Sequence, residues 1–120
     1  MLSDQGRPTW IVEFYSDSRG RVPAREFLDS LNTQERAETL RVLRLLREYG
    51  IHLGMPHARP IAGMWELRSG PNRFFYVARR GRRFVVLHGY RKRSQTAPVS
   101  EIETARRRWA ELIDREREGE

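Results

Sequence analysis

The sequence contains no cysteine. A disulfide framework and a thiolate metal site are therefore excluded, and a reducing compartment suits the chain. Lysine is almost absent too: of 23 basic residues only Lys92 is a lysine, and the rest are arginines. No apolar run approaches the roughly 18 residues of a membrane span. The opening residues, MLSDQGRPTW, carry no apolar core of the kind that marks export. A cytoplasmic location and no membrane partner are expected. His52, His57 and His88 have no metal-like spacing to carboxylates, and Gly50, Gly54 and Gly63 do not make a phosphate loop. Neither a metal nor a cofactor is expected. No repeat or linker-like stretch interrupts residues 1–120, which read as one domain.

What is present is cationic. The 23 basic residues face 16 acidic ones, a formal charge of +7. Three Trp, four Tyr and five Phe are spread along the chain, so the composition is polar but foldable. Arginine is the better fork for phosphate, because its planar guanidinium donates two parallel hydrogen bonds. Nucleic acid is the partner this balance favours, with a merely soluble basic surface as the bland alternative.

Residues 9–16, TWIVEFYS, read as a strand, and residues 17–20 as a turn. Pro23 opens a helix with Phe27, Leu28 and Leu31 at helical spacing. Asn32 and Glu35 form a capping box for a second helix. Its stripe is Thr39, Val42, Leu43, Leu46 and Tyr49, and Gly50 is its stop. Residues 51–62, with two prolines, read as a loop. Three strand-like runs follow, 64–68, 73–79 and 83–90, joined as two antiparallel hairpins. Pro98 and the Ser100/Glu103 pair open a last helix with the stripe Ile102, Ala105, Trp109, Leu112 and Ile113. Glu111–Arg115 is an i,i+4 pair on its outer face. The order βααβββα is α+β: a small antiparallel-rich sheet with an N-terminal helix pair and a C-terminal helix, the helices covering one face.

Side chains alternate along a strand. Met64, Glu66 and Arg68 then share a face, opposite Trp65 and Leu67. Arg73, Phe75, Val77 and Arg79 share another, as do Phe84, Val86, His88 and Tyr90. A symmetrical hairpin over residues 69–72 pairs Arg68 with Arg73. Like charges directly opposite are destabilising unless solvent screens them or an anion sits between them. Arg91, Lys92 and Arg93 begin where the third strand ends, at that same end of the sheet. Arg68, Arg73, Arg91 and Arg93 are expected to converge on a polyanion, with Tyr90, His88 and Trp65 nearby for stacking or proton transfer.

In this ordered set the sequence resembles the phage-derived HigB branch of the RelE/ParE toxin superfamily. The residues that carry the likeness are Glu66-Leu67-Arg68, Arg73, the apolar strand through Leu87, His88-Gly89-Tyr90, Arg91-Lys92-Arg93, Thr96-Ala97-Pro98 and Ala105. The match runs over residues 61–106. The resemblance implies the toxin of a type II toxin–antitoxin pair, a ribosome-dependent endoribonuclease (mRNA interferase) that cuts mRNA in the ribosomal A site and inhibits translation. It also implies a cognate helix-turn-helix antitoxin as partner. Arg73 and Arg91 match the arginines expected to handle the scissile phosphate, with Arg68 and Arg93 beside them. Some relatives carry lysines where this chain has Trp65 and Glu66, and a tyrosine where it has Thr96-Ala97. Their general base and acid therefore do not carry over.

Metal-free RNA cleavage needs a base for the 2′-OH, a stabiliser for the pentacoordinate phosphorus and an acid for the leaving oxygen. Arginine suits only the second role. Glu66, His88, Tyr90 and Lys92 are the candidate proton carriers. Each also has a structural reading: Glu66 as a neutraliser of excess charge, His88 as a hydrogen-bonded structural histidine. Two other functions stay open. One is a ParE-like gyrase poison. The other is a non-catalytic RNA- or DNA-binding module.

Overall fold

The structure is a computed structural model and describes residues 9–95 and 98–119. The β-branched and aromatic run after Thr9 forms β1, Ile11–Phe14. Asp17 closes the following turn, its Oδ1 accepting from the backbone N–H groups of Arg19 and Arg21 at 2.9 Å each. Proline at the helix start opens α1, Pro23–Ser30. Asn32 caps α2, Thr33–Tyr49, by accepting from the Glu35 N–H at 2.8 Å. Gly50 ends α2 at φ 59°, and a Cβ there would also meet the Trp10 indole at 2.1 Å. Trp10 fills the space beside this last turn, and Tyr49 is exposed rather than part of the buried stripe.

The segment 51–62 is not simply a loop. After a single 3-10 turn, Gly50–His52, it forms β2, Ala58–Ile61. Pro60 has no N–H for a ladder, but β2 is a sheet edge, where a missing donor is tolerated. The two hairpins are β3, Met64–Ser69, β4, Asn72–Arg79, and β5, Arg83–Arg91. The five strands lie in the order β1-β5-β4-β3-β2, with β1 parallel to β5 and the other pairs antiparallel.

The C-terminal helix α3 is Val99–Glu118. The Ser100/Glu103 capping box does not form. Pro98 is the cap residue, without a side-chain bond, and the Ser100 carbonyl already accepts from the Thr104 hydroxyl inside the helix. Nor do Glu111 and Arg115 pair with each other. Glu111 accepts from the Tyr15 hydroxyl, and Arg115 donates to the Ser16 carbonyl at 2.8 Å.

The helices cover both faces of the sheet, not one. α1 and α2 pack over Leu67, Phe74, Tyr76, Phe84 and Val86. α3 packs its stripe over Met64, Phe75, Val77, Val85 and Leu87 on the other side. Burial on both faces explains why β4 and β5 read as nearly continuous apolar runs. A β-bulge changes the phase of β5. Phe75 pairs with His88 and Tyr76 with Val86, so Leu87 has no partner. Phe84 and Val86 therefore face α1 and α2, while His88 and Tyr90 face the α3 side. The expectation of one shared face for these four residues fails at that extra residue. Among the described residues no helix is long and apolar enough to cross a membrane.

Candidate functional site

The β3–β4 hairpin pairs Ser69 with Asn72 and Arg68 with Arg73, the register expected from the short turn. Tyr90 pairs with Arg73 from the other side. A row Arg68–Arg73–Tyr90 therefore crosses three strands on the α3 side, near the start of α3. Two residues further along the strands, Glu66 pairs with Phe75 and with Arg59 of β2. By the period of two, Arg59 and Glu66 lie on the same face as Arg68 and Arg73.

Arg73 is only 8% exposed. Its Nη1 donates to the Gly70 carbonyl at 2.6 Å and the Asn72 carbonyl at 3.1 Å. Its Nε and Nη2 bond to no protein group among the described residues, which leaves one two-donor edge of the guanidinium for an anion. Burial, and after it the like charge of Arg68, pushes the Arg73 pKa below its ordinary value. An arginine nonetheless stays charged.

The Lys92 N–H donates to the Pro71 carbonyl at 2.8 Å, which fixes the basic loop beside the hairpin turn. Arg68, Arg73, Lys92 and Arg93 line one open cleft there. Tyr90, Arg91, Lys92, Arg93 and Glu101 line a second opening beside it. None of the four cleft cations forms an ion pair among the described residues. The contrast with the far end of the β4–β5 hairpin is plain. There Arg79 and Arg83 both pair with Glu116, and Arg83 also pairs with Glu13. Another groove, between the end of β1 and α3 and lined by Tyr15, Asp17, Arg108, Glu111 and Arg115, mixes acids with bases.

Glu66 is 1% exposed, and its Oε1 accepts from the Arg59 Nε at 2.9 Å. The Tyr90 hydroxyl is buried and has no hydrogen-bond partner among the described residues. Burial, and then the Glu66 charge, pushes its pKa up to about 12. At neutral pH this phenol is a proton donor and not a base.

His88 is held between two groups of α3. Arginine can only donate, so the Arg108 Nη1 donates to Nδ1 at 3.0 Å. The proton then belongs on Nε2, which donates to Glu101 at 2.5 Å. This tautomer is assigned from the hydrogen-bond network. Burial drives the His88 pKa down, against the opposing Glu101 bond. The ring stacks on Tyr90 at 5.8 Å between centroids.

Two expected site residues lie apart. Arg91 is the register partner of Asn72, so strand alternation turns it away from Arg73 and towards α2. Its Nη1 donates to Glu35 at 3.0 Å, and the Asn72 amide donates to the same carboxylate at 3.0 Å. Arg91 lines the second opening with Arg93 but does not join Arg68 and Arg73 in the cleft, so the expected convergence of all four is not met. Trp65 packs with the α1/α2 core and stacks on Tyr76, again on the far face. Thr96 and Ala97 lie outside the described residues.

Sequence reasoning missed Arg59, Arg108 and Glu35. Arg59 sat in the segment taken for a loop. Glu35 reads in sequence as a capping residue alone, although it also anchors Arg91 and Asn72. Arg108 carried no signal of its own in an arginine-rich helix.

A mixed sheet with helices on both faces and a cationic cleft at its hairpin end defines a small α+β protein with a basic face. Residues 26–110 match the family described as "Phage derived protein Gp49-like (DUF891)". The chain belongs to that family, a RelE/HigB-like toxin family of toxin–antitoxin systems. No curated protein matches the chain.

Proposed function

We propose that this protein is the toxin of a type II toxin–antitoxin pair and that it cleaves mRNA on the ribosome. The observation that carries the reading is the cleft itself. Among the described residues Arg68, Arg73, Lys92 and Arg93 stand there without carboxylate partners, and the buried Glu66 and Tyr90 lie on the same face of the sheet as Arg68 and Arg73. Family membership supports the toxin part of the reading.

The chemistry follows from the groups present. The open edge of Arg73 takes two oxygens of the scissile phosphate, and Arg68 and Arg93 add charge as the phosphorus becomes pentacoordinate. The 2′-oxygen forms a bond to phosphorus while its proton passes to Glu66. The bond to the 5′-oxygen breaks, and that oxygen takes the Tyr90 proton. A departing alkoxide is far more basic than a phenolate, so the second transfer runs downhill even from a phenol raised to about 12. The products are a 2′,3′-cyclic phosphate and a 5′-hydroxyl. Solvent then restores both side chains.

In this scheme His88 holds α3 and the Tyr90 ring in place. Arg91, tied to Glu35, fixes the end of β5 so that Lys92 and Arg93 reach the cleft. The family implies an antitoxin as partner, the resemblance a helix-turn-helix one, and the +7 charge of the chain favours an acidic surface on it. The test is purified protein added to ribosomes programmed with a synthetic message, with product ends mapped chemically. Cyclic phosphate ends with the wild type, lost in Arg73→Ala, support the reading. No cleavage, combined with inhibition of gyrase supercoiling, moves the protein to the gyrase-poison class.

A further inference from the structure

Arg59 is, among the described residues, the arginine that bonds the buried Glu66 carboxylate, and most of its donor capacity is unspent. Its Nε alone bonds to Glu66. Among the described residues neither terminal amino group makes a hydrogen bond. The side chain is 44% exposed on the outermost strand, whereas the Glu66 side chain is 2% exposed. The second Glu66 oxygen accepts nothing among the described residues. Arg59 also adds its like charge to the surroundings of Arg73, so the two cations share one field. From β2 to β4 is two strand spacings, roughly 10 Å, and the offset along the strands is two residues, roughly 7 Å. Arg59 is therefore placed beside the phosphate held by Arg73 and not on it.

Resting on the nuclease reading above, we propose that Arg59 is a phosphodiester-binding residue that exchanges partners. In the free protein it holds Glu66. With RNA bound it turns its fork to a backbone phosphate next to the scissile one and leaves the Glu66 carboxylate to the 2′-hydroxyl. The exchange has a physical driving force. A cation drawn to phosphate gives two parallel charge-assisted bonds in place of one. The surface position leaves the side chain room to swing, and the Glu66 position does not.

Partner exchange makes a prediction that a fixed structural ion pair does not. Glu66 competes with RNA for Arg59. Glu66→Gln should therefore tighten RNA binding, and most of that gain should need Arg59. The probe is a short 2′-O-methyl RNA oligomer, which offers phosphodiesters without a nucleophile. Its affinity is read by fluorescence anisotropy at low salt for the wild type, Arg59→Ala, Glu66→Gln, the double variant and Arg44→Ala as a remote control. Thermal melts confirm folding. Arg59→Ala should weaken binding by about tenfold or more, the worth of one charge-assisted contact. Arg44→Ala should change it much less. Glu66→Gln should bind more tightly than the wild type, and in the Arg59→Ala background the same change should gain little. An equal gain in both backgrounds would mean simple removal of negative charge and would overturn the exchange. So would an Arg59→Ala affinity no weaker than that of Arg44→Ala. If Glu66→Gln fails to fold, that comparison of Arg59→Ala with Arg44→Ala still decides. A wild type that does not bind the oligomer would count against the nuclease reading itself.

Discussion

Arg68 and Arg73 stand directly opposite one another across β3 and β4, like charges in register on one face of the sheet. Such a pair costs folding up to about 1 kcal/mol. An anion between them reverses the sign. Sulfate or a short RNA should raise the melting temperature, by about 1.4 kcal/mol of stability at ten times Kd. In a chain of this size that is several degrees. Arg73→Ala should lose the shift, and Arg44→Ala, whose side chain is exposed on α2 beside Glu48, should keep it. Differential scanning fluorimetry with added ligand reads both.

Tyr90 separates stability from function. Its hydroxyl is buried without a partner among the described residues, so Tyr90→Phe removes a polar group that they leave uncompensated. Stability should hold or rise by up to about 1 kcal/mol. Cleavage should fall by roughly 10²-fold, the worth of a positioned general acid. A variant that cleaves at the wild-type rate would remove Tyr90 from the chemistry.

The register Arg68–Arg73 was legible because a four-residue turn between two apolar runs admits few pairings. The capped start of α2 was legible for a similar reason, since Asn32 and Glu35 satisfy each other locally. The partition of the cleft was not. It depends on the unpaired Leu87, and no local signal separates a bulge from a regular strand inside an apolar run. β2 was hidden by Pro60, which suits an edge strand as well as a loop, and Arg59 was hidden with it. Arg91 failed to join Arg73 because its partner Glu35 lies 56 residues away, on another element.

His88 gives a pH dependence. Its folded pKa lies below the ordinary 6.5, because burial disfavours the charged ring. The unfolded chain therefore takes up the proton first as pH falls. The contribution is complete above about 6.5 and is lost as pH drops through the folded value. The melting temperature of the wild type should decline from pH 7 to 5. His88→Gln should show a shallower decline over the same range.

Glu35 acts lower on the scale. Its hydrogen bond from Asn72, followed by the charge of Arg91, holds its carboxyl below the usual value. The stability it supplies is full above the ordinary carboxylate range and fades as pH falls through the folded value. Thermal melts between pH 5 and 3 should show a steeper loss for the wild type than for Glu35→Gln. The loop carrying Lys92 and Arg93 should also bind RNA less well in Glu35→Ala.

Gly89 is required by packing and not by backbone angle. A Cβ there would sit 2.8 Å from both the Phe27 and the Phe74 rings. Gly89→Ala should destabilise by about 1–3 kcal/mol through overpacking. Urea unfolding measures it, with an unchanged m-value expected.

The most direct measurement is primer extension on a reporter mRNA in the first minutes after induction of the wild type and of Arg73→Ala in a bacterial host. The account predicts cuts that need translation, present with the wild type and absent with the variant, whose fold and antitoxin binding are intact. Growth arrest by the wild type with an uncut message would contradict it.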